Sequence, residues 1–223
     1  MTAASGPRHR AWIRPTTLGD LLDSRAEAAR DQEGFVFPGK RLTFGEFARE
    51  ADAAARALVA AGVRQGDHVG LLLNASTDNL AILFGAAKIG AVPVPINSRS
   101  KGQELSQVIA HGQLQVLVTT GSENGGPDFP ALLEDVYPAI AFQPAGKLEL
   151  PEAPLLHTVV QLAGETTRSG LLPGAEFLAA GEQVAAEEIE ALQACVRVRD
   201  TAIILYTSGT SSTAKGVMIS TRP

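Results

Sequence analysis

The residues best suited to chemistry lie late in the 223-residue chain, in the run Tyr206-Thr207-Ser208-Gly209-Thr210-Ser211-Ser212-Thr213-Ala214-Lys215-Gly216-Val217. Thr207 to Thr213 are seven small residues, six of which carry a hydroxyl. Glycine admits backbone conformations that other residues avoid and lets the main chain approach a ligand closely. Successive free backbone N–H groups in such a loop make a nest for an anion, and serine and threonine hydroxyls add donors without bulk. Lys215 supplies a full positive charge for phosphate oxygens. Composition alone leaves a polar surface loop between two strands equally open. The order of strand, glycine, hydroxyls, lysine and glycine favours a site for a phosphorylated ligand.

Two other phosphate-binding patterns fail on residue identity. A Walker-type loop requires G-x-x-x-x-G-K-[ST]. With Gly209 as its first glycine, Ala214 stands at the second glycine and Gly216 at the magnesium-binding hydroxyl. A dinucleotide turn of the G-x-G-x-x-G kind does not occur.

The elements that must position this loop read as an α/β chain. Thr17-Leu18-Gly19-Asp20 starts a helix with Leu18, Leu21 and Leu22 as its apolar stripe. Phe35–Phe37 and Arg41-Leu42 are short strands about the turn Pro38-Gly39-Lys40. Thr43 and Glu46 form a capping box for a helix that carries Phe44, Phe47, Ala51, Ala54, Ala55 and Leu58 inward and stops at Gly62. Val69–Leu73 reads as a strand buried on both faces. A helix follows from Thr77 to Lys88 with Gly90 as its stop. Ala91–Pro95, extended and with two prolines, belongs near a sheet edge or to an irregular strand. Ser100 with Gln103 offers a capping box for a helix through Ile109, and Gln115–Thr119 is the next strand. This alternation predicts a parallel sheet. Beyond it we expect a helix over Pro130–Val136, a strand over His157–Gln161, a helix over Ala185–Ala194 and a buried strand over Thr201–Tyr206, inside an otherwise loop-rich stretch.

Composition narrows the function classes. Hydrophobic residues make up 45% and charged residues 19% of the chain, an ordinary globular balance. A net charge of -5 argues against nucleic-acid binding. The cluster Arg8, His9, Arg10 and Arg14 reads as a solvated tail. Cys195 is the only cysteine, so a disulfide-stapled secreted scaffold is excluded; its apolar setting predicts a buried small hydrophobe. No signal peptide is apparent, and Leu80–Ile96 falls short of the ~20 apolar residues that span a bilayer, so a soluble, cytoplasmic protein is expected. His9, His68, His111 and His157 lack metal-ligand spacing, and Glu187-Glu188 reads as solvated charge.

The Tyr206–Val217 segment resembles the phosphate loop of the adenylate-forming (AMP-binding) superfamily, written T-S-G-[ST]-T-G-x-P-K-G-V. Thr207, Ser208, Gly209, Thr210, Lys215, Gly216 and Val217 match, whereas Ser211, Ser212 and Ala214 replace Thr, Gly and Pro. Ala214 removes a φ constraint and so loosens the loop. Three upstream segments are similar in order and spacing: Arg41–Phe44 with Glu46, Gly62-Val63 with Gly66–Val69, and Lys88–Asn97. Asn97-Ser98-Arg99 leans toward acyl-CoA synthetases. The likeness runs from about Thr17 to Ile219.

The resemblance implies an α/β fold of parallel-sheet layers with flanking helices, the partial N-terminal domain of an adenylate-forming ligase. It implies ATP-dependent activation of a carboxylic acid, a fatty acid or a relative of one, to an acyl-adenylate and then a coenzyme A thioester. ATP, Mg2+ and coenzyme A are the implied cofactors and co-substrates. Thr207, Ser208, Gly209, Thr210, Ser211, Ser212, Thr213, Lys215 and Gly216 would hold the nucleotide, with Lys215 as an orienting cation. Residues 1–16 would be a flexible tail and 17–223 an incomplete adenylation domain, divided at 120 and 200 into an α/β segment, a loop-rich and helical segment, and a strand–loop–strand. The family's catalytic lysine, adenine segment and ribose contact would lie further on, so this chain alone is expected to be inactive, a shortened or frame-shifted form. A non-catalytic interaction module and an amino-acid- or aryl-acid-activating domain stay open as alternatives.

Overall fold

Apolar runs bounded by glycine turns build a five-stranded sheet in the order β4-β3-β5-β6-β7, parallel throughout. The computed structural model describes residues 16–100, 102–122, 126–164, 168–207 and 215–222. The sheet strands are β3 (His68–Leu72), β4 (Val92–Pro95), β5 (Leu114–Thr119), β6 (Thr158–Gln161) and β7 (Leu172–Pro173). Parallel neighbours need a crossover. Helices α3 (Thr77–Lys88), α4 (Gly102–His111) and α5 (Phe129–Val136) stand in successive connections, the last followed by a 3-10 turn at Pro138–Phe142. As expected, β4 is a hydrogen-bonding edge of the sheet.

Strand alternation divides the core into two layers. Leu114 and Leu117 of β5 with Val159 of β6 join α4 and α5 through Leu105, Ile109 and Leu133. Val116 and Val118 with Val69, Leu71 and Val160 face α2 (Phe44–Ala60), α3, α6 (Gly174–Gly181) and α7 (Ala186–Cys195). Both faces are covered, which is why these strands are apolar without interruption. A third cluster, with Phe47, Leu42 and Leu22, seats α1 (Leu18–Ala28) and the antiparallel pair β1 (Glu33–Phe37) and β2 (Lys40–Thr43) against α2 and α3.

Local chemistry sets the helix ends where the sequence predicts them. The Thr43 hydroxyl accepts from the Glu46 N–H at 3.2 Å while the Glu46 carboxylate accepts from the Thr43 N–H at 2.8 Å, a completed capping box. The Thr43 N–H and the Thr43 hydroxyl, at 3.0 Å, both donate to that carboxylate, outweigh desolvation and hold the Glu46 carboxyl below its ordinary range. Thr17 and Ser76 cap α1 and α3 by the hydroxyl bond alone, accepting from the Asp20 and Asn79 N–H groups. Gly62 and Gly90 take φ of 88° and 71°, so both helices end at the left-handed conformation glycine tolerates. Close packing of α2 on α3 depends on Gly85, where an added Cβ would lie 2.8 Å from the Ala55 backbone nitrogen.

Several expectations need correction or addition. Cys195 is exposed, because α7 buries only the stripe through Ile189, and a residue six positions on points to another face. Leu21 is 44% exposed, since α1 turns Leu22 inward and leaves Leu21 beside the seam. The strand β8 (Thr201–Thr207) is not buried: only Ile204 falls in the core, because β8 pairs antiparallel with β9 (Lys215–Ser220) outside the parallel sheet. Helix α6 and strand β7, within the stretch read as loop-rich, form around Leu172 and Phe177. Helix α4 runs on to His111 and starts at Gly102; the capping box expected at Ser100 involves Lys101, which lies outside the described residues.

Candidate functional site

Of the predicted loop, the structure describes the two ends. Thr207 closes β8, Lys215 opens β9 and Gly216 follows it; Ser208, Gly209, Thr210, Ser211, Ser212 and Thr213 lie outside the described residues. The antiparallel register makes Thr207 the direct partner of Lys215 and Tyr206 that of Gly216. Two residues eight positions apart in sequence are thereby set side by side at the mouth of a hairpin, both exposed. Lys215 forms no ion pair with a described carboxylate. An exposed cation beside a hydroxyl can form charge-assisted hydrogen bonds to an anionic group.

The hairpin stem is anchored on one face. Ile204 reaches the core layer of α4 and α5, and Tyr206 packs beside it. The Tyr206 hydroxyl lies 2.8 Å from Nδ1 of His111, the last residue of α4, and the two rings meet edge to face at 5.9 Å. Burial pushes the Tyr206 phenol above its ordinary range. Gly216 has a packing reason of its own, since a Cβ there would come within 3.2 Å of the Tyr206 ring. At the base, Asp200 accepts from the Arg197 N–H at 2.8 Å and from Gln65 Nε2 at 3.3 Å, and the Thr221 hydroxyl donates to the Val198 carbonyl at 3.1 Å. Together these contacts tie a two-stranded ribbon, marginal by itself, to the parallel sheet and α4.

His111 is the residue that sequence reasoning missed. It stands 95 positions before Tyr206, and no spacing or motif connects the two. His68 and His157 are occupied locally, His68 Nδ1 at 2.7 Å from the Gly112 carbonyl and His157 Nδ1 at 2.9 Å from the Thr158 hydroxyl. Among the described residues no group of three or more His, Cys, Asp or Glu could hold a metal ion, so no described carboxylate set is assigned to Mg2+. No described helix is long and apolar enough to cross a membrane.

A five-stranded parallel sheet wrapped by helices, with an antiparallel strand pair beside it, is the architecture of the N-terminal domain of adenylate-forming ligases. The chain belongs to the AMP-binding enzyme family, whose match spans residues 22–223. It is 32% identical over 209 residues to the crotonobetaine/carnitine–CoA ligase of Proteus mirabilis, covering 91% of this chain and 36% of that one. It is 27% identical over 210 residues to the medium-chain acyl-CoA ligase ACSF2 of Danio rerio, covering 93% and 34%. Among solved structures, a Mycobacterium tuberculosis fatty acyl CoA synthetase superposes with a TM-score of 0.66 at 26% identity, over 92% of this chain and 34% of that one. The anthranilate CoA ligase AuaEII, solved with anthranoyl-AMP, shares the fold with a TM-score of 0.72 at 23% identity, over 92% and 35%. The chain thus spans about a third of the length of these relatives.

Proposed function

We propose that this chain is the phosphate-gripping part of an ATP-dependent acid–thiol ligase. The observation that supports this best is the Thr207–Lys215 pairing at the hairpin mouth, which falls within a family match over residues 22–223. In the reaction, a carboxylate oxygen attacks the α-phosphorus of ATP, pyrophosphate leaves, and an acyl-adenylate forms. The acyl group then passes to the thiol of coenzyme A. Two anions must meet in the first step, so positioned donors and cations lower the barrier by offsetting their repulsion and holding them in line. Lys215, Thr207 and the residues from Ser208 to Thr213 take the β- and γ-phosphates in this reading, with Lys215 orienting and not transferring a proton. Mg2+ bound with the nucleotide supplies further charge neutralisation. A fatty or related acyl substrate is supported by Asn97-Ser98-Arg99 and by the acyl-CoA ligases among the relatives.

On its own the chain is proposed to bind ATP without turning it over. Titration with a fluorescent ATP analogue should give saturable binding that Lys215→Ala weakens about tenfold, the loss of one charge-assisted contact. Equal affinity in the two proteins sinks the loop assignment. In a pyrophosphate-release assay the chain should not exceed its Lys215→Ala control.

A further inference from the structure

Away from the hairpin, α1, α2, α3 and α7 enclose a cavity of about 400 Å3. Arg49, Asp52 and Arg56 reach it from one face of α2, at the three- and four-residue spacing that aligns helical side chains. Across it stand Lys88 of α3, Asp23 of α1 and Glu190 of α7. The lining is formally balanced, three cations against three carboxylates, but the pairing is not. Lys88, 4% exposed at its side chain, takes both Asp23 at 2.6 Å and Asp52 at 2.5 Å, and Gln193 Nε2 donates to Asp23 at 2.8 Å. Two carboxylates are therefore spent on one ammonium.

Arg49 and Arg56 form no ion pair with any described residue, and Nε of Arg56 is buried without a hydrogen-bond partner. A buried guanidinium donor without an acceptor is rare, and each instance calls for one. The opening turn of α7 adds to the imbalance: Ala185 provides no side-chain cap, and Ala186 stands in the cavity wall. Uncapped N–H groups at a helix start carry partial positive charge. Glu187 and Glu188 offset part of that charge in the same turn, and Arg49 also lies in the field of the exposed Glu46 carboxylate; in the cavity wall itself, Glu190 is the one carboxylate that Lys88 does not hold.

We propose that this cavity is a binding site for a small oxyanion, a phosphate or carboxylate group, held by Arg56 and Arg49 and separate from the nucleotide loop. Arg56 directs its planar donor edge at the oxygens, and Arg49 closes from the solvent side. The site is independent of the reading of residues 207–216.

The test is titration of the 15N-labelled chain with inorganic phosphate, pyrophosphate and acetate at constant ionic strength, read by amide chemical shifts. Saturable shifts are expected at Ala186 to Ile189 and along Arg49–Arg56. Arg56→Gln and Arg49→Gln should each raise the apparent Kd read at Ala186 to Ile189 about tenfold or more. Which of the three anions binds tightest identifies the ligand class. Shifts confined to residues 207–216, or no saturable shift with any anion, would overturn the proposal. Should Arg56→Gln fail to fold, the wild-type map and the exposed Arg49→Gln variant still decide it.

Discussion

The five-stranded sheet and the β8–β9 hairpin are made from the same apolar, β-branched residue types and end in opposite states. In β5, Val116, Leu117 and Val118 are completely buried, paired on both edges and covered on both faces. In the hairpin, Leu205 and Ile219 are 39% exposed, Val217 46% and Met218 67%. Each hairpin strand pairs with only one neighbour, and a single face rests on the core through Ile204 and Tyr206. Removing apolar surface from water is the main force favouring the folded state, so the sheet holds the fold together. The hairpin contributes little packing and instead presents Thr207 and Lys215 at an open end. That contrast suits the role proposed for this end of the molecule, since scaffolds of this kind commonly carry binding residues outside their packed core.

Unfolding measurements can break that contrast. Leu117→Ala should cost about 2–5 kcal/mol in urea denaturation, whereas Met218→Ala should stay within about 0.5 kcal/mol. Comparable losses at the two sites would mean that the hairpin is as firmly packed as the sheet.

A smaller effect is expected at Lys88, which links α1 and α2 to α3 beneath the sheet. Its partners Asp23 and Asp52 are about half exposed, so solvent screens the pair. Lys88→Ala should cost about 1–2 kcal/mol, less than the loss of a fully buried pair. Burial lowers the Lys88 pKa, but bonds to Asp23 and Asp52 outweigh it and leave the ammonium above its ordinary value. A pKa raised in the folded state adds stability that is fully present below the unfolded value and lost as pH climbs through the folded one. The wild-type protein should therefore lose stability above about pH 10.5, and Lys88→Met should flatten that alkaline limb. An unchanged alkaline limb in the variant would remove Lys88 from the account.

A smaller effect than that at Lys88 sharpens the comparison from the hairpin side. Tyr206→Phe deletes the bond to His111 and should cost about 0.5–1.5 kcal/mol globally. Amide exchange should accelerate across β8 and β9 and stay unchanged in β3, β5 and β6. Uniform acceleration would show that the stem opens only with the whole domain.

Much of the fold was legible because its determinants are local. Thr17, Thr43 and Glu46, Gly62 and Gly90 act within one helical turn of themselves, and the runs Val69–Leu73 and Gln115–Thr119 state their own burial. The same local pattern misleads at Thr201–Tyr206, whose apolar run resembles a sheet-centre strand. Nothing in those residues says that their neighbour will be β9, eight positions on, in place of a parallel strand. Cys195 misleads for a related reason, because its immediate neighbours Ala194 and Val196 are apolar but only the Ile189 stripe of the helix finds a partner. Helix α6 escapes notice because it lacks a side-chain cap; its packing against α2, with Gly181 close to Ala57, sets it in place.

By itself, the sequence determined the periodicities, the caps, the glycine stops and the order of hydroxyls and lysine in the terminal loop. These rest on interactions within a few residues, whose energies do not depend on what the rest of the chain does. Only the tertiary structure decided which apolar runs are buried, that Thr207 faces Lys215, that His111 braces Tyr206, and that Lys88 consumes the carboxylates beside Arg49 and Arg56. Those outcomes join positions that are close only after folding, through contacts no local pattern encodes.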